Sequence, residues 1–302
     1  MIVERSQSVV TAIQTATKER QDTVWQGLAR FGRQSALNRV GLLLAGLVLL
    51  AALFGDWLAP YGPTQTDLGA RLKAPTAQHW FGTDSLGRDI FSRVLSGAKI
   101  SLQVAAVVLT IALIVGVLVG AAAGMAGGWL DQLLMRITDL FLAFPALILA
   151  AAIGAALGKN LTNTMIALST VYWPWYARLM RGQTLTLMNQ EFILAARAVG
   201  VPRRTIFWRH LLPNVLPILL VQLSLDIGYA ILYTASLSFL GLGAQRPSPE
   251  WGLMLSDARE FVRSAPWTML FPGGALTLTV LAFNLLGDGL RDFLDPRLRG
   301  QR

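Results

Sequence analysis

Residues 100–125 read ISLQVAAVVLTIALIVGVLVGAAAGM, a run with no charged side chain. As a helix it is about 39 Å long, more than the ~30 Å hydrocarbon core of a bilayer. Within it Ala112, Gly116, Gly120 and Gly124 recur at every fourth position. That spacing puts four small residues on one helix face, where a neighbouring helix can approach closely. The stretch therefore predicts a buried transmembrane helix.

Outward from it, further apolar stretches occupy about 40–59, 133–157, 162–180, 216–240 and 269–286, one of them interrupted by charges. The first ends at Asp56, Trp57 and Pro60, as a span does at a headgroup layer. In the third, Pro145 predicts a kink, and Arg136 and Asp139 are spaced to pair along the helix. The fourth ends in Tyr172, Trp173, Trp175 and Tyr176, which read as an interfacial belt. The expectation is an all-α membrane protein of six transmembrane helices. Residues 1–39 are polar with no apolar h-region, so the first span is expected to remain as an anchor.

Composition agrees. Hydrophobic residues make up 54% and charged residues 14%, against about 25% charged in soluble domains. The formal charge of +9 alone would suit nucleic acid, but Lys and Arg are divided among several loops, which fits topology rather than a phosphate-binding face. With both termini inside, about twice as many basic residues fall inside as outside. There is no Cys, which removes thiol and iron–sulfur chemistry, and no Gly-x4-Gly-Lys-Ser/Thr phosphate loop. His79 and His210 are the only histidines and fall on opposite sides of the membrane in this topology, so no metal site is expected.

The segment after the fourth span carries a distinct signal. Glu191 to Val199 reads as a short helix with an acid at its start, Gly200 as its C-cap and Pro202 as a stop. Ala195, Ala196 and Ala198 predict a surface with little bulk, and Arg197 and Arg203 supply charge. Arg209, His210, Leu212 and Pro213 follow. This stretch resembles the coupling loop of binding-protein-dependent ABC importers, with pattern Glu-Ala-Ala, three residues, Gly, nine residues, Ile, one residue, Leu-Pro. Ala195, Ala196, Gly200, Leu212 and Pro213 match it, while Leu194 replaces the Glu and His210 the Ile.

Three other stretches resemble C-type permeases of the dipeptide, oligopeptide or nickel branch of that family. They are His79 to Asp89 with Ser92-Arg93; Ser238 to Gly243 with Pro249-Glu250-Trp251-Gly252; and Gly287 to Asp292 with Asp295-Pro296. The resemblance implies a type I ABC importer transmembrane domain forming half of a translocation pathway for di- or oligopeptides, with nickel or a nickel chelate as the alternative solute. It implies a homologous second permease, two ATP-binding subunits that carry ATP and Mg, and an extracytoplasmic solute-binding protein in a bacterial inner membrane. It also implies a division into residues 1–97, a core of 98–290 with the coupling loop at 181–213, and a tail of 291–302. No catalytic residue is expected on this chain. The coupling candidates are Glu191, Ala195, Ala196, Arg197, Gly200, Arg203, His210 and Pro213.

Asp226 lies near the middle of the fifth span. A carboxylate there costs at least about 2.5 kcal/mol on insertion scales, so it must face protein or a water-filled path. Either it meets a cationic group of the solute, with Tyr229 beside it, or it pairs with another helix. Asp84, Arg88 and Asp89 read as a salt-bridge network. An intramembrane enzyme would need a nucleophile or metal set that the chain lacks, and a channel or secondary transporter would show an internal repeat.

Overall fold

The computed structural model describes residues 31–32 and 35–294, so most of the N-terminal tail, the last eight residues and the Asp295-Pro296 pair lie outside the described part. Among the described residues there is no strand, only an isolated bridge between Thr83 and Asp89. The helices are α1 (Ala36–Leu58), α2 (Ile90–Ala126), α3 (Gly128–Leu142), α4 (Ala146–Leu157), α5 (Leu161–Met188), α6 (Glu191–Ala198), α7 (Leu212–Phe239), α8 (Trp251–Ala258) and α9 (Trp267–Leu294).

The core is the pairing of α2 with α5, and the glycine face explains it. A Cβ on Gly116 would lie 2.4 Å from Tyr176 Cβ, one on Gly120 2.3 Å from the Ala177 carbonyl oxygen, and one on Gly124 2.7 Å from Thr184 Cβ. Ala112 is fully buried. The partner positions rise with the glycine numbers, so α2 and α5 run parallel. The chain must therefore return to its starting side between Ala126 and Leu161, and the α3–α4 pair makes that return.

The return is not the kinked helix expected at Pro145. The chain breaks after Leu142, and α3 and α4 meet at 88°. Pro145 is the N-cap of α4; it disfavours helical backbone at Phe144 and has no N–H to continue a ladder. Nor do Arg136 and Asp139 pair. Asp139 binds Arg178 of α5 at 2.6 Å, and Asp131 accepts from Arg181 Nε and Nη2 at 2.6 and 2.7 Å. Two ion pairs thus tie α3 to α5.

Among the described residues, α1, α2, the continuous helix Arg203–Phe239 and α9 are long and apolar enough to cross a bilayer, and the bent pair would make a fifth span. Helix α5 is long enough but too polar, because Thr162, Asn163, Thr164, Ser169 and Thr170 punctuate its first half and Arg178 and Arg181 follow; it ends eight residues beyond the expected end. Its buried face includes Thr164, Ser169 and Thr184, which protein rather than lipid surrounds. Helix α2 starts ten residues earlier than its apolar run, with Asp89 accepting from the Ser92 N–H as N-cap.

A polar module closes the end where α2 begins. The buried Arg93 donates to the carbonyls of Pro63, Pro247 and Ser248 at 2.8, 3.3 and 3.1 Å. The expected network around Asp84 forms, with Arg88 at 2.6 Å, while Asp89 instead takes His79 at 2.9 Å. Trp251 donates to Val94 O at 3.0 Å across the gap left by Gly97, whose added Cβ would lie 2.6 Å from the indole nitrogen.

Candidate functional site

Two features belong to one helix. At its foot α7 continues from the turn Arg203–Thr205 and the wide turn Ile206–Leu211. There the Leu212 N–H bonds Phe207 O, five residues back. Pro213 follows and has no N–H to offer Arg209, so the ladder widens before it. His210 and Pro213 therefore belong to the base of a long helix, not to a loop.

Preceding it, α6 is an eight-residue helix of which only Ile193 is buried. Gly200 has φ +81°, the left-handed conformation that favours glycine. Its N–H bonds Arg197 O and the Val201 N–H bonds Ala196 O, both at 3.0 Å, which completes a Schellman end. Glu191, Ala195, Arg197, Gly200, Arg203 and Pro213 are exposed, whereas Ala196 and His210 are half-buried. The expected surface of low bulk is only part of what is presented. Phe192, Leu194 and Trp208 are about half exposed, and Val199 is 80% exposed at the tip. An alanine-centred reading passed over these apolar side chains; their crowding around one short helix was the available signal.

Near the middle of α7, Asp226 is buried. Tyr176 of α5 donates to one carboxylate oxygen at 2.7 Å, and Gln222, one turn earlier, donates to the other at 3.1 Å. The group faces a cavity of about 380 Å³ walled by Tyr172, Trp175, Tyr229 and Tyr233 from α5 and α7, with Ala146 and Val171. The Tyr172 and Tyr233 rings are 6.0 Å apart. Among the described residues the buried Tyr172 hydroxyl has no hydrogen-bond partner.

Tyr172 and Tyr176 are therefore not part of an interfacial belt, whereas Trp175 is 58% exposed. Because α5 runs on to Met188, Tyr172 and Tyr176 fall inside the helix and turn inward. The spacing of Tyr172 and Tyr176, one turn apart, was the signal for a shared inward face.

Comparison with known proteins follows this geometry. Residues 116–300 match the model of the binding-protein-dependent transport system inner membrane component. The chain belongs to that family. Residues 23–75 match the N-terminal TM domain of oligopeptide transport permease C. A dipeptide transport system permease protein, DppC, of Alkalihalophilus pseudofirmus is 48% identical over 91% of this chain and 90% of its own. A glutathione transport system permease protein, GsiD, of Shigella flexneri is 48% identical over 98% of both chains. A chain of the inward-facing MetNI methionine ABC transporter superposes with TM-score 0.57, covering 67% of this chain and 96% of its own at 19% identity. The type I ABC importer membrane fold is thus shared, and this permease is an inner membrane component of a binding-protein-dependent transport system.

Proposed function

We propose that this permease forms half of the translocation pathway of an ATP-driven importer of peptides. The relatives named for dipeptide and glutathione transport support a peptide solute. In this reading a homologous second permease completes the pathway, an extracytoplasmic binding protein delivers the peptide, and two separate subunits bind ATP and Mg and hydrolyse the nucleotide. The chain itself catalyses nothing. Both termini face the cytoplasm, residues 98–290 form the transport core, and the tails lie outside it.

The observation that carries the reading is that one continuous helix, Arg203–Phe239, joins the exposed α6 surface to the Asp226 cavity. Glu191, Ala195, Ala196, Arg197, Gly200, Arg203, His210 and Pro213, with Val199, form the surface that meets an ATPase subunit. Asp226 and Tyr229 line the solute path. An ATPase that binds the two permease conformations with different affinity then biases the cavity through the helix.

The test is reconstitution of the full transporter in proteoliposomes with its binding protein and a labelled dipeptide. Uptake should require ATP, and the purified permease alone should not hydrolyse it. Val199→Glu changes a side chain that is 80% exposed in the chain itself and should leave the permease fold intact. Gly200→Leu forces a branched residue into a left-handed conformation at a cost of roughly 1–2 kcal/mol. Both should reduce dipeptide uptake per ATP hydrolysed. Normal coupling in both, with a full complex, would remove α6 from the docking surface.

A further inference from the structure

The Asp226 cavity sets a carboxyl group among aromatic rings, with no basic side chain in its lining. Its two hydrogen-bond donors, the Tyr176 hydroxyl and the Gln222 amide, are neutral. A carboxylate has about four lone-pair directions, so two remain open. Among the described residues no Lys, Arg or His forms an ion pair with Asp226, and none lines the cavity. The neighbouring ion pairs, Arg178–Asp139 and Arg181–Asp131, are closed on themselves.

The walls suit a cation as well. Tyr172, Tyr229, Tyr233 and Trp175 surround the space, and aromatic faces attract ammonium groups through the ring quadrupole. The Tyr172 hydroxyl, on a residue only 6% exposed, has no hydrogen-bond partner among the described residues and belongs to the same wall. A carboxylate, an unpartnered phenol and several π faces around about 380 Å³ form a receptor for one positively charged organic group, with room for the atoms attached to it. A buried negative charge is costly until such a group arrives.

We infer that this cavity is a binding site for organic ammonium groups, and that it takes the amino terminus of a passing peptide at Asp226. The inference rests on the pathway reading of Asp226 and Tyr229, and it adds the chemical class of the ligand. The site works by charge: the ammonium compensates the carboxylate during passage, while solutes without a cation gain nothing there.

The experiment uses the assembled transporter carrying Tyr229→Cys, since this permease has no native cysteine. Labelling of this chain is followed with two thiol reagents of similar size, a trimethylammonium methanethiosulfonate and a sulfonate methanethiosulfonate, each scaled to its rate with a free thiol. A unit negative charge one helical turn away, weakly screened, should favour the cation by about tenfold or more. Adding Asp226→Asn should bring the ratio close to one, and Asp226→Glu should restore it. A dipeptide amide at high concentration should slow cationic labelling, and its N-acetyl derivative should not. A ratio near one with Asp226 in place means that the carboxylate is protonated and overturns the ammonium site while the pathway reading stands. A cysteine that neither reagent reaches overturns both. The first measurement needs no change at Asp226, so it stands even if the Asn variant fails to assemble.

Discussion

Gly120 shows how narrow the tolerance is at single positions. An added Cβ would lie 2.3 Å from the Ala177 carbonyl oxygen and 2.8 Å from Met180 Cβ; the oxygen belongs to helical backbone, which cannot move aside alone. Gly120→Leu should therefore destabilise the α2–α5 contact by roughly 1–3 kcal/mol or more, as overpacking does. Gly182 on α5 is also a glycine within a helix, but it has nothing within 4 Å. Gly182→Leu should be tolerated. The check is the thermal midpoint of the detergent-solubilised chain: a clear fall for the first and little change for the second. Equal midpoints would mean that α2 and α5 do not touch along this face. The same face binds structure to site, since Tyr176, the residue that Gly116 admits, is also the donor to Asp226.

Elements were legible in the sequence where composition alone decides them, and less so where packing does. The run 100–125 marked α2, and its glycines marked the packed face before any partner was known. The start of α2 was hidden because Ile90 to Lys99 includes Arg93 and Lys99, charges satisfied by distant residues, the polar module for Arg93 and Asp56 of α1 for Lys99. Asp139 went to Arg178 rather than Arg136 for a similar reason: the helix spacing allowed the local pair, but Arg178 of α5 takes the carboxylate at 2.6 Å. The one-turn spacing of Tyr172 and Tyr176 announced a shared face, but the continuation of α5 past Met180, which sets them inside the helix, was not legible locally. Gly200 was readable because a left-handed helix end is a one-residue requirement. Helix α8 tests this scale. Its N-cap Glu250 accepts from the Gly252 and Leu253 N–H groups at 2.9 and 2.8 Å. Burial pushes its carboxyl above the ordinary glutamate range, although those N–H groups and Ser238 pull the other way. The native state then holds a proton that the unfolded chain has already lost just above the usual glutamate value. Stability should therefore fall as pH rises from that value through the folded one, and acidification should raise it. Thermal midpoints across that range should slope downward with pH for the native chain and less steeply for Glu250→Gln. A downward slope persisting unchanged in the variant would assign the effect to another group.

At the scale of the whole molecule, the parallel run of α2 and α5 demands a return through α3 and α4, and the polar module and α6 then belong to opposite ends of the bundle. Cysteines placed at Thr64 and Gln245 should react with an impermeant thiol reagent in intact cells, and one at Asn189 should react only after the membrane is opened. Labelling of Asn189 from outside would invert the arrangement and break the link between α6 and a cytoplasmic ATPase. The polar module has a further consequence, and it is one of timing. Arg93 reaches carbonyl oxygens of residues 247 and 248, 154 and 155 positions later in the chain. During synthesis its guanidinium is made long before those acceptors exist, and it must stay hydrated until the last large loop has been delivered to the same side. A nascent chain cut short before Pro247 leaves this cation without two of its three carbonyl acceptors, a persistent mark of an unfinished product. A complete permease and one that stops before Pro247 thus differ at a single guanidinium near the start of α2, held by three carbonyls in the one and by one in the other.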